Sequence, residues 1–277
     1  MIQVLKTLIH DVIAWRRQIV QLAYLALKKQ TENTVLGWAW LFVRPAMYIC
    51  CFWFALYVGI RGSHGMDSVQ YLVWLTAGLM PWFFLQTTIN GGAHVFGQYR
   101  YLVNKLKFPV ALIPVFFELS AMFLHFALLI VLFIIYVVAG GTFDIYFIQI
   151  PLLVVLMYVF SIGWSLMTSS LSAVSKDFAN LIRTLSTPIF WLSGVIFNVS
   201  NIGIPVIQWI LKFNPITFLV ESYRTVFSNG SVISGVHHGW IWGDPVFFGC
   251  GVFVVLLTFF AGLFVFSRLQ RDIPDVL

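Results

Sequence analysis

The chain has 277 residues, 60% of them hydrophobic and only 9% charged, with 16 Lys and Arg against 10 Asp and Glu and a formal net charge of +6. A soluble domain of this length is nearer half apolar and about a quarter charged. So few charges, with a mean hydropathy of +0.92, exclude an ordinary soluble domain and point to an all-α polytopic membrane protein.

Near Met1, charged and apolar residues alternate and no small-residue cleavage site follows a short apolar core, so no signal peptide is expected. Residues 2–16 place Ile2, Leu5, Ile9 and Val12 on one helical face, with Lys6, His10 and Arg17 toward the other. With Trp15 and Lys28-Lys29 this reads as an amphipathic helix lying on a membrane surface. A helix crosses a bilayer with about 20 mostly apolar residues. Runs of that kind fall near 36–60, 69–90, 109–139, 146–172, 181–198 and 246–267, which predicts six crossings. Arg183 and Pro188 interrupt the fifth. Between it and the last run, 202–213 and 215–228 are too short to span and read as re-entrant or interfacial helices, split at Asn214-Pro215. One transmembrane domain over 1–277 follows. It divides into an interfacial region at 1–34, five spans over 35–198, a re-entrant hairpin over 199–245, and the last span with a tail over 246–277.

Basic residues sort the loops. An N-terminus in the cytoplasm puts Lys6, Arg16, Arg17, Lys28, Lys29, Arg100, Lys105, Lys107, Lys176, Arg183, Arg268 and Arg271 inside. Arg61, Lys212 and Arg224 are left outside, and Arg44 lies within the first span. Both termini are therefore expected in the cytoplasm, with the hairpin outside the cell.

The residues supply little covalent chemistry. No G-x-x-x-x-G-K-[ST] loop is present, and the nearest glycine cluster, GIRGSHG at 59–65, has no lysine before a hydroxyl residue. No G-x-S-x-G or H-E-x-x-H motif occurs. The six histidines are scattered, and Cys50, Cys51 and Cys250 lie in apolar runs without C-x-x-C spacing, so no metal site and no catalytic residue is expected. Asn198-Val-Ser200 and Asn229-Gly-Ser231 fit a glycosylation pattern that often arises by chance.

Ionisable groups at membrane depth are costly. Glu118 and His125, seven apart in the third run, are either functional groups or polar anchors to a neighbouring helix. Aromatics such as Trp38, Trp40, Trp82 and Trp242 near span ends suit interfacial belts, whereas Trp53, Tyr158, Trp164, Phe190 and Trp191 fall inside spans. There they either pack or stack on sugar rings along a pathway. Glu221 and Arg224, three apart in the second short helix, face one another.

Six stretches in order carry a family resemblance: LGWAWLFVRPAMYI at 36–49, ALYVGIRG at 55–62, WLTAGLMPWFF at 74–84, NKLKFPVALIP at 104–114, NPITFLVESYRTV at 214–226 and RDIPDVL at 271–277. The chain resembles permease subunits of ABC-2 exporters, in particular polysaccharide exporters, and within these the wall teichoic acid translocation permeases; O-antigen and capsule exporters share the layout. Arg44 before Pro45 departs from the uncharged polar residue common there. The resemblance implies a transport subunit, not an enzyme, working as a homodimer with two copies of a separate ATPase that binds ATP and Mg. The implied partners are a lipid-linked anionic polymer and membrane lipids, with no nucleic acid, in the cytoplasmic membrane of a bacterium.

By this resemblance the loop between the second and third spans, YRYLVNKLKFP at 99–109, holds a helix that docks on the ATPase. Its residues are Tyr101, Leu102, Asn104, Lys105, Leu106, Lys107 and Phe108, with Tyr101, Leu102 and Leu106 as the docking face. Lys176 and Asp177 make a second contact. Arg44, Glu118, Tyr158, Phe190 and Trp191 are expected along the substrate pathway, and Glu221 and Arg224 at an outer gate. A membrane-embedded transferase is the alternative, and it would need Glu118, His125 and Asp144 to converge.

Overall fold

The computed structural model describes residues 2–32, 34–61, 67–105, 108–199, 202–227 and 239–273; at Ile2, Ile60, Arg61, Asn104 and Lys105 only the backbone is described. Every regular element among them is a helix. Two helices, α1 (Ile2–Ala14) and α2 (Arg16–Lys29), precede the first long one, α3 (Trp40–Trp53), which continues in a wider π-helical turn over Phe54–Arg61. Then come α4 (Ser68–Gly92), an elbow of α5 (Val95–Gln98) and α6 (Arg100–Lys105), α7 (Leu112–Val138), α8 (Ile150–Val174) and α9 (Lys176–Leu192). Two short helices, α10 (Pro205–Lys212) and α11 (Pro215–Phe227), lead to α12 (Pro245–Leu269).

α4 is apolar on every side, and a helix of that kind must be surrounded. It packs against α3, α7, α8, α9 and α11. Over its apolar window 78% of the residues are buried, against 11% for the first span. The bundle is thus built around α4, and α3 is its least covered helix. α8 and α12 form the closest helix pair because glycines stand between them. A Cβ at Gly163 would lie 2.8 Å from the carbonyl oxygen of Thr258, and one at Gly262 would lie 2.9 Å from Gly163 Cα. Small residues let membrane helices approach backbone to backbone.

Among the described residues, five helical segments are long and apolar enough to cross a bilayer: Gly37–Gly59, Ser68–Gly92, Leu112–Val138, Ile145–Val174 and Pro245–Leu269. The fifth expected crossing, over 181–198, takes another form. The chain reverses at an extended Ser175 and α9 then runs 17 residues from Lys176 to Leu192, about 25 Å at 1.5 Å per residue. A turn follows, with Gly194 at φ +68°, the left-handed conformation that glycine adopts without strain. Polar and charged residues at its start, Pro188 within it and the turn beyond shorten the helix. Irregular backbone at membrane depth survives only when buried in protein, and α11 covers this turn.

A second apolar cluster lies where α1, α2, the elbow, the start of α7 and the last turns of α12 gather, here called the terminal end. Leu8, Ile19 and Ala23 pack there with Phe96, Tyr99, Leu102, Phe116 and Ile273. α1 and α2 therefore give part of their apolar surface to the protein itself. The expected single face divides: Leu5 and Val12 turn toward the cluster, whereas Ile9 is half exposed.

Candidate functional site

Three helices frame a groove. On α3, Tyr48 and Phe52 are four residues apart and so share a face. Tyr48 meets Phe83 of α4 at 6.2 Å between ring centroids, and Phe52 meets Phe190 of α9 at 5.4 Å. Phe190 also packs on Trp82 at 5.0 Å and carries Trp191 edge-on. Gln86, Ser186 and Thr187 add polar groups to the lining of this cavity, whose volume is about 90 Å³. Asn90 donates to Ser186 Oγ at 2.9 Å and pins α9 to α4 there. Trp82 is not an interfacial belt residue as expected: it is buried beside Phe190, about midway along α4. Arg44 lies two turns below Phe52 on α3, exposed, with its guanidinium carbon 5.7 Å from the Trp40 ring.

The structure thus brings Arg44, Phe190 and Trp191 to one region. Glu118 and Tyr158 belong instead to the packing of α4, α7 and α8. Glu118 is fully buried; its carboxylate accepts from Thr88 Oγ1 at 2.7 Å and from Ser165 Oγ. Tyr158 donates to the carbonyl of Val115 at 3.0 Å. His125 meets the Tyr223 hydroxyl at 2.8 Å, and Asp144 caps the turn after α7 by accepting from the Tyr146 N–H. The three groups that a transferase would need therefore hold separate structural partners and do not converge.

At the far end, Arg224 is 1% exposed. Its guanidinium bonds Glu221 at 2.8 Å, the carbonyl of Gly194 at 2.7 Å and that of Val195. It also lies 3.7 Å from the Trp74 ring centroid. Gly78 makes room: a Cβ there would sit 2.8 Å from Arg224 Cζ. One side chain thus joins α11, α4 and the turn after α9, at a depth of about ten residues, or 15 Å, from the start of α4.

The elbow divides the residues expected to dock. Tyr101 is exposed, but Leu102 is 3% exposed and packs inward. The cause is the break at Tyr99, φ −113° and ψ 25°, which turns Leu102 onto the terminal cluster. Leu102 is accordingly not on a free docking face. Burial pushes the Tyr99 phenol up to about 12, as expected of a dry interior. Phe108 stands edge-on to Trp15 at 5.3 Å. Leu106, Lys107 and the side chains of Asn104 and Lys105 lie outside the described residues. Lys176 and Asp177 are exposed at the start of α9, and Asp177 borders an apolar groove of about 550 Å³ with Phe178, Leu181 and Leu269.

The profile of the ABC-2 type transporter family matches residues 17–228. The chain belongs to that family. This ABC-2 chain is 22% identical over 222 residues to the O-antigen export system permease protein RfbA of Myxococcus xanthus, covering 79% of the chain and 84% of the relative. It is also 22% identical over 253 residues to a protein of that name from Klebsiella pneumoniae, covering 91% of each. These relatives carry the O-antigen name, the alternative in the sequence reading, rather than the teichoic acid name. Sequence reasoning missed Tyr48, Phe52 and Gln86, although the four-residue spacing of Arg44, Tyr48 and Phe52 was there to be seen.

Proposed function

We propose that the chain is the permease subunit of an ATP-driven exporter of a lipid-linked polysaccharide in the cytoplasmic membrane of a bacterium. Two copies work with two ATPase subunits, which hold ATP and Mg. Both termini and the elbow face the cytoplasm. The observation that carries the reading is the α3–α4–α9 groove. Ring faces suit the apolar faces of sugars, hydroxyl and amide groups suit their hydroxyls, and a cation waits at one end for a phosphate. Tyr101, with Lys176 and Asp177, meets the ATPase, and Glu221 and Arg224 close the outer side. The names of the relatives favour an O-antigen as the polymer, whereas the six stretches of sequence resemblance favour wall teichoic acid.

The test is co-expression with the ATPase encoded beside the chain, followed by reconstitution in liposomes. Stable co-purification and ATP hydrolysis stimulated by a lipid-linked polymer are expected. Lipid-linked O-antigen and lipid-linked teichoic acid, compared side by side, decide the substrate. A complex that hydrolyses ATP but responds to neither removes the polysaccharide reading.

A further inference from the structure

The groove has a second cation at its mouth. α3 and α9 both run antiparallel to α4. Tyr48 meets Phe83 and, further along α3, Tyr57 meets Tyr71; Ser186 meets Asn90 and, further along α9, Phe190 meets Trp82. The two flanking helices are therefore parallel to each other, and they touch where Phe52 packs on Phe190. Counting back from that contact, eight residues of α3 reach Arg44 and seven of α9 reach Arg183. At 1.5 Å per residue these steps are about 12 and 10 Å toward the terminal end. Each is close to two full turns, so each arginine shares the face of its phenylalanine. Both residues are exposed. The nearest carboxylate along α9, Asp177, is six residues further on, about 9 Å away.

We propose that Arg183, read from sequence only as an interruption in an apolar run, completes with Arg44 a two-guanidinium mouth that selects a lipid carrying a diphosphate over one carrying a single phosphate. This rests on the groove being the translocation path. A guanidinium binds phosphate oxygens through a planar fork of donors. Two forks at one level each take one phosphate group, whereas a monophosphate occupies one fork and leaves the other idle. The aromatic stripe above then receives the sugar attached to the diphosphate.

The probes are farnesyl diphosphate, farnesyl monophosphate, farnesol and inorganic pyrophosphate, titrated onto the full chain in phosphatidylcholine nanodiscs. Farnesyl diphosphate is expected to bind about tenfold more tightly than the monophosphate, as one added charge-assisted contact gives. Farnesol and pyrophosphate bind more weakly than either. Arg183→Gln and Arg44→Gln each bring the diphosphate down to the level of the monophosphate, Arg183→Lys keeps part of the difference, and Arg271→Gln keeps all of it. Because Arg44 and Arg183 are exposed, retention of the size-exclusion profile separates these effects from misfolding. A tenfold preference that survives Arg183→Gln overturns the proposal. So does equal loss in Arg271→Gln, which would mean a general charge effect, or pyrophosphate binding as tightly as farnesyl diphosphate. Polymer-stimulated ATP hydrolysis by the unsubstituted complex reports on the transport reading separately: its absence removes that reading whatever the probes show.

Discussion

Arg224 shows how far one side chain can organise a bundle. Read along the helix, Glu221 and Arg224 are an ordinary neighbouring pair, worth about 0.2–0.5 kcal/mol in water. Inside the protein the guanidinium also takes the carbonyls freed by the turn at Gly194 and Val195. Losing it strands a nearly buried carboxylate and those carbonyls together, and breaking a buried pair costs about 3–5 kcal/mol. Arg224→Met should therefore lower the apparent melting temperature strongly. Glu221→Gln should do so weakly, because the amide oxygen still accepts and the carbonyl partners remain, leaving a loss of about 1 kcal/mol. Differential scanning fluorimetry of the detergent-purified chain checks the order, and equal losses would mean that the pair matters more than the carbonyls. If the pair closes an outer gate, Glu221→Gln also raises basal ATP turnover of the complex.

At the scale of elements, the elbow and the start of α12 carry separate tests. Leu102 is buried in the terminal cluster while its neighbour Tyr101 is exposed. Leu102→Asp should deplete folded protein by placing an unpaired charge in a core. Tyr101→Asp should leave folding intact and weaken co-purification of the ATPase; membrane yield and pull-down, measured in parallel, separate the two. Asp244 caps α12 by accepting from the N–H of Phe247 at 3.0 Å, and that bond holds its carboxyl below the usual range. A lowered folded pKa gives stability that is present above the unfolded value, near 3.9, and is lost as pH falls through the folded one. The advantage over Asp244→Ala, about 1 kcal/mol for a cap, should stay level from pH 7 to 5 and shrink only below about pH 4. Lys212, 3.5 Å away, adds little in so exposed a place. Chemical denaturation at several pH values checks this, and an advantage that already fades at pH 6 would assign it to another group.

For the whole molecule, the sparse cover of α3 matters most. Its Met47 and Tyr48 are exposed on a helix that the rest of the chain barely touches. If a second copy covers this face, Met47→Cys in a chain lacking Cys50, Cys51 and Cys250 should cross-link to doubled mass within the membrane. A Cys at Val155, exposed on α8, should not. Much of this architecture was written in local composition. Apolar runs of sufficient length have few options in lipid beyond the helix, so four spans besides α3, and the break at Asn214-Pro215, were legible one segment at a time. The Glu221–Arg224 pair was legible too, because three residues along a helix is a contact of the helix itself. What lay beyond local reading depended on which helices meet. Periodicity can name a face without saying what covers it, so the inward turn of Leu102, the burial of Trp82 and the hydroxyls around Glu118 came from tertiary packing. The shortened α9 came from the same source: its turn stands at membrane depth because Arg224, thirty residues later, reaches back to its carbonyls.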